Sequence, residues 1–150
     1  MMRILIDGDA CPVVDSVIRL TTGSGVLVYI YRSFDHFSNQ VYPEHVKTHY
    51  VDGGRDAVDF SIIQNVQSQD IVITQDYGLA SLLLNKAQHV IHHNGRIYTQ
   101  SNIDQLLAQR YFSQQERRKK HRHSKGPKPF NERQRKHFES QLSKLLKITI

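Results

Sequence analysis

Five aspartates stand where residue type and spacing would let them work together. Asp7 and Asp9 flank Gly8 directly after the apolar run Ile4-Leu5-Ile6, Asp56 and Asp59 open a helical pattern three residues apart, and Asp76 follows Ile71-Val72-Ile73-Thr74. In a parallel α/β sheet the carboxyl ends of the strands open onto the ligand crevice, so acids at such ends face substrate on rigid backbone. Carboxylates a few Å apart raise one another's pKa, and a divalent cation is the commonest reason for keeping them ionised. A spacing of three puts Asp56 and Asp59 on one helical face. Oxygen-only donors suit Mg²⁺ or Mn²⁺, which keep several waters and complete their shell with carboxylates and substrate phosphate. The five acids are therefore candidate catalytic residues for metal-assisted chemistry at phosphate.

Taken singly, these acids also have plainer readings. Asp56 and Asp76 stand where helix caps are expected, and Asp70 reads as a surface residue opening a strand. Asp7-Gly8-Asp9 also fits the Asp-x-Asp start of haloacid dehalogenase-like phosphatases, in which the first acid attacks phosphate and the second transfers protons. That chemistry wants a lysine at a later strand end, and Lys86 falls at the wrong end of a helix. Cys11 reads as a small residue that lets its turn close, not as a nucleophile. His92 and His93 are adjacent, and His121 and His123 lie in a basic run without cysteines, so none has zinc-site spacing. His36 and His45 are the histidines expected near the crevice. Tyr31, Phe34, Phe37 and Tyr42 accompany them; base stacking is open to this group, with Tyr31 and Phe34 expected in the core.

The elements that must position these residues alternate. Strands are expected over 1–7, 26–31, 46–51, 71–74 and 89–92, from β-branched and apolar runs. Helices are expected over 12–20, 56–66, 77–85 and 101–112, with Arg32 to Glu44 as a loop and Asn94-Gly95 as a turn. This alternation predicts a mostly parallel sheet covered on both faces. Residues 116–129 are too poor in apolar side chains to fold alone and read as an exposed linker. Helical periodicity returns from Phe130 to Leu146 through Phe138, Leu142, Leu145 and Leu146. This divides the chain into an α/β domain over 1–114 and a basic linker with a C-terminal helix over 115–150. The leucine face of that helix is expected to pack on the body or to pair two copies into a homodimer.

Charge is distributed unevenly along the 150 residues. Residues 1–109 hold seven Lys and Arg against eleven Asp and Glu, and residues 110–150 hold thirteen against three. An acidic body with a basic tail suits a polyanionic partner, nucleic acid first and an anionic membrane surface second. The candidate contacts are Arg117, Arg118, Lys119, Lys120, Arg122, Lys125 and Lys128, with solvated surface as the plainer role. Apolar runs fall far short of a membrane span and no basic-then-apolar leader opens the chain, so no membrane partner and a cytoplasmic location are expected. A single cysteine agrees with a reducing compartment.

The motifs Asp7-Gly8-Asp9-Ala10-Cys11-Pro12, Gly54-Arg55-Asp56-Ala57-Val58-Asp59, the run from Asp70 to Ala80, and Gly126-Pro127-Lys128-Pro129-Phe130 resemble the YaiI/YqxD family of uncharacterised bacterial proteins. The resemblance covers nearly the whole chain, and extends to the PIN-like nuclease superfamily. It implies a PIN-like three-layer α/β/α domain with a mostly parallel central sheet, and Mg²⁺- or Mn²⁺-dependent cleavage of phosphodiesters. It would make Asp7, Asp56 and Asp76 metal ligands, with Asp9 and Asp59 beside them to position the attacking water. Many members of that superfamily carry glutamate at the second acidic position, where this chain has aspartate. RNA is the substrate implied by analogy. The contrasting expectation is a catalytically silent RNA- or ribosome-associated binding module whose basic tail carries the function.

Overall fold

Ile4-Leu5-Ile6 and Ile71-Val72-Ile73 are apolar at every position because both faces of their strands are covered, and all six side chains are fully buried. The computed structural model, which describes residues 2–120 and 129–149, arranges five strands in one parallel sheet. They are β1 (Arg3–Asp7), β2 (Leu27–Ser33), β3 (Val46–Val51), β4 (Ile71–Ile73) and β5 (His89–Ile91), in the order β3-β2-β1-β4-β5. β1 lies between β2 and β4, with Ile4 opposite both Val28 and Ile71.

Helices α1 (Val14–Thr21) and α5 (Glu132–Thr149) cover the face that carries Ile4, Ile6, Val28, Ile30, Ile71 and Ile73. Helices α2 (Arg55–Asn65), α3 (Tyr77–Leu83) and α4 (Gln100–Lys120) cover the face that carries Leu5, Tyr31, Val72 and Val90. The result is a three-layer α/β/α fold. From β1 the chain moves outward through β2 to β3, then returns to the other side of β1 for β4 and β5. Right-handed crossovers in opposite directions put their helices on opposite faces, and the reversal opens a crevice at the carboxyl ends of β1 and β4.

α5 shares the core of the body. Phe138, Leu142, Leu145 and Leu146 recur on one helical stripe and are buried with Val14 and Val17 of α1. Each such side chain contributes about 1.5–3 kcal/mol by leaving water. Glu139 adds a polar latch: it accepts a 2.7 Å hydrogen bond from Ser16 Oγ and pairs with Arg19. Those bonds hold its carboxyl below the usual range. The leucine face expected to join two copies is therefore occupied within the chain, which removes the reason for a homodimer through it.

Two further differences have physical causes. α4 runs to Lys120, past the expected boundary at residue 114 and through residues expected as linker. Its apolar contacts end with Ile103, Leu106 and Leu107, but the following Gln, Glu, Arg and Lys are good helix formers. Asp70, expected on the surface, is fully buried. Arg3 grips it with both arms, Nε to Oδ1 at 3.0 Å and Nη2 to Oδ2 at 2.7 Å, and Gln67 N donates to Oδ2 at 2.7 Å. Among the described residues no helix is long and apolar enough to cross a membrane.

Candidate functional site

Asp7 is the last residue of β1, and Thr74 and Asp76 follow β4, so the three flank the sheet's reversal at its carboxyl edge. Thr74 is the hub. Its buried hydroxyl donates to Asp7 Oδ2 at 2.8 Å and accepts from Asp76 N at 3.0 Å. Its backbone N–H donates to Ile91 O at 3.1 Å, and its carbonyl accepts from Tyr98 Oη at 3.1 Å. Every polar group of Thr74 is thus engaged, which fixes the two strand ends against each other. Asp76 also caps α3: its Oδ1 accepts from Gly78 N at 2.9 Å and Leu79 N at 3.2 Å. One residue thus serves both ends, capping the helix with its side chain and bonding Thr74 through its backbone N–H. Arg110 of α4 brings a guanidinium nitrogen to 3.6 Å from the same oxygen.

The Asp7-Gly8-Asp9 turn is braced against β2. A Cβ on Gly8 would stand 2.7 Å from Ile30 Cγ2 and 3.0 Å from both Tyr31 O and Arg32 Cγ, so glycine is required by close approach. Arg32 Nε donates to Gly8 O at 3.3 Å and its Nη1 donates to Tyr42 Oη at 3.0 Å. Asp9 turns away from Thr74. Its Oδ1 accepts from Ser33 N at 2.9 Å and lies 3.3 Å from His36 Nδ1. Asp56 sits exposed in the first turn of α2, after Gly53 and Gly54 at φ of 107° and 82°. Asp59 is half-buried one turn further on.

The structure therefore brings Asp7 and Asp76 into one hydrogen-bonded unit, keeps Asp9 on its β2 side, and places Asp56 and Asp59 on the crossover helix. The donor chemistry is oxygen-only, which fits Mg²⁺ or Mn²⁺ in kind, and such ions need only one or two carboxylates beside water and phosphate. Among the described residues, no group of three or more His, Cys, Asp or Glu side chains is close enough to hold one ion, so Asp7, Asp56 and Asp76 do not form a three-ligand cage. Arg117, Arg118, Lys119 and Lys120 lie on the last turns of α4, while Arg122, Lys125 and Lys128 lie outside the described residues.

His36 meets the site as expected, but His45 does not. It precedes β3 at the opposite, amino edge of the sheet and bonds Thr21 Oγ1 at 2.9 Å. Tyr31 is buried as expected, whereas Phe34 is 55% exposed, because β2 ends at Ser33 and the chain turns outward there. Burial pushes the Cys11 thiol up to about 12, which leaves it protonated and un-nucleophilic at neutral pH. Burial, with His93 and Arg96 nearby, pushes His92 down to about 4; it is neutral and accepts from Asn94 N at 2.9 Å. Sequence reading missed Thr74, Arg32 and Arg110. The first two stand at strand ends and were open to the rule that exposed the aspartates, but Arg110 arrives from a helix with no local signal.

Fold and site define a three-layer α/β/α protein with aspartates at the switch point of a five-stranded parallel sheet. The sequence pattern described as "Uncharacterized BCR, YaiI/YqxD family" matches residues 5–148, and the chain belongs to that family. It is 57% identical to UPF0178 protein SH2212 of Staphylococcus haemolyticus, over 98% of this chain and 99% of the relative. It is 59% identical to UPF0178 protein SAB0630c of Staphylococcus aureus, over 97% of this chain and 95% of the relative. No solved structure matches the chain.

Proposed function

We propose that this protein acts on nucleic-acid phosphodiesters, RNA foremost, at the crevice between β1 and β4, with Mg²⁺ or Mn²⁺ held by Asp7 and Asp76. The observation that carries this reading is the Thr74 hydroxyl, which ties the Asp7 carboxylate and the Asp76 backbone into one unit at the switch point. When bound there, such a cation supplies charge neutralisation at phosphate and acidifies water. Asp9 and Asp59 are the groups proposed to orient that water. Arg110, beside Asp76 and half exposed, is placed to meet a phosphate oxygen. The basic residues Arg117, Arg118, Lys119, Lys120, Arg122, Lys125 and Lys128 would draw in the backbone without reading its sequence.

The test is cleavage of end-labelled single-stranded RNA with Mn²⁺ or Mg²⁺, using Asp7→Asn and Asp76→Asn as controls. Metal-dependent cleavage lost in both variants is the expected result; cleavage unchanged in both would mark a contaminant and refute the site. A second reading, a silent RNA- or ribosome-associated binding module, is favoured by the Arg110 guanidinium at Asp76, a cation already standing beside the acid. It predicts salt-sensitive binding without turnover. Because α5 belongs to the core, deleting residues 115–150 would confound that test by unfolding. Changing Arg117, Arg118, Lys119 and Lys120 to Gln, itself a good helix former, keeps α5 in the chain and should flatten the salt dependence of binding by about one unit of slope per lost contact. The phosphatase reading gains nothing, since Lys86 follows α3 at the amino edge of the sheet, opposite Asp7.

A further inference from the structure

We propose that Phe34, Tyr50 and Phe37 form a stacking platform for the bases of a single strand, resting on the phosphodiester reading above. Phe34 and Phe37 are 55% and 60% exposed, an unusual cost for two phenylalanines in one short turn. Their rings are ordered against Tyr50 of β3: Phe34 stacks on it at 5.8 Å between centroids with planes 23° apart, and Phe37 lies at 5.0 Å with planes 42° apart. Tyr50 is itself fixed, because its hydroxyl accepts from Ser38 N at 3.1 Å and donates to Ser38 O at 3.2 Å. Rings already held in place lose little freedom when a flat partner lands on them.

The surroundings favour a nucleobase over a protein side chain. The exposed members are aromatic rings, a kind of surface every base can stack on, and the neighbours Asp35, His36, Ser38 and Gln40 are polar. The platform is continuous with the proposed phosphate site. His36 lies between the two phenylalanines in sequence, and its ring nitrogen reaches Asp9 in the Asp7-Gly8-Asp9 turn. A strand whose phosphate enters the crevice can therefore lay an adjoining base on these rings, which a base-paired duplex cannot do.

The experiment is fluorescence anisotropy at fixed salt and Mg²⁺ with three probes: an octauridylate, an abasic octamer of equal charge, and an eight-base-pair RNA duplex. The parent chain should bind the octauridylate about tenfold more tightly than the abasic octamer, the scale of one stacked base. The Phe34→Leu/Phe37→Leu double variant should lose that preference while binding the abasic octamer as before, and Phe34→Tyr/Phe37→Tyr should keep it. Retention of the preference by the leucine variant, with circular dichroism showing an intact fold, overturns the platform alone. Failure of the parent chain to bind either octamer overturns the phosphodiester reading and the platform with it. Self-association of the parent chain that the leucine variant lacks, without any base preference, would make the patch a protein contact and likewise overturn the proposal.

Discussion

Thr74→Val isolates the hydroxyl that joins the two strand ends. Valine matches threonine in shape, so the change removes two hydrogen bonds from a buried position with little change in packing. The bond to the Asp7 carboxylate is charge-assisted, worth about 1.5–3 kcal/mol, and stranding the Asp76 N–H adds about 1 kcal/mol. A loss near 3 kcal/mol lowers Tm by about 6–12 °C for a chain of this length. Thr74→Ser keeps the hydroxyl and loses one methyl group, at about 1 kcal/mol. Urea denaturation of both variants, followed by circular dichroism, measures the difference, and the slope of the transition should stay unchanged. A cycle with Asp7→Asn should show coupling of about 1–2 kcal/mol between the positions. If Thr74→Val costs no more than Thr74→Ser, or the cycle shows no coupling, the hydroxyl does not brace Asp7 and the switch-point unit is wrong.

Three other outcomes follow from the geometry. Asp70→Ala should cost about 3 kcal/mol in urea melts by removing the buried carboxylate that Arg3 and Gln67 N share, and Arg3→Met/Asp70→Leu should recover part of it, Gln67 N still lacking that acceptor. Gly8→Ala forces a methyl against Ile30 and should cost about 1–3 kcal/mol by overpacking, with loss of any activity exceeding the loss of stability because both flanking acids shift. His92 binds its proton more weakly folded than unfolded, so its contribution to stability is present above pH 6.5 and is lost as pH falls toward 4. That loss approaches about 3 kcal/mol, read from urea midpoints at several pH values. His92→Gln should flatten the window, leaving a smaller dependence in the same direction from His89 and His93.

β1 and β4 were legible because they are buried on both faces and so are written as unbroken apolar runs, and β3, at the edge of the sheet, from its alternation. β3 matches its expected bounds, and α2 begins and ends one residue earlier than expected. The end of α4 was hidden because it has no apolar stripe and persists on intrinsic propensity. Long-range polar pairs were hidden for a different reason. Nothing local in Asp70 announces Arg3, 67 residues away, and nothing in Asp76 announces Arg110. The strand-end rule put Asp7 and Asp76 at the carboxyl edge because it concerns topology, but it could not tell that Thr74 bonds both. Asp76 shows the limit of choosing between roles, since its carboxylate caps α3 while its backbone N–H bonds the Thr74 hydroxyl. The outward turn after Ser33 likewise has no hydrophobic signature, which is why Phe34 looked like core.

Divalent-cation binding by Asp7 and Asp76 at the ends of β1 and β4 is the proposal most open to direct measurement. Electron paramagnetic resonance of free Mn²⁺, titrated with the protein alone and with single-stranded RNA, measures this without requiring turnover. Saturable loss of the free-ion signal in the parent chain, abolished by Asp7→Asn and by Asp76→Asn in variants shown to be folded, is the expected result. An unchanged Mn²⁺ signal in both titrations, or binding indifferent to both substitutions, would contradict the claim.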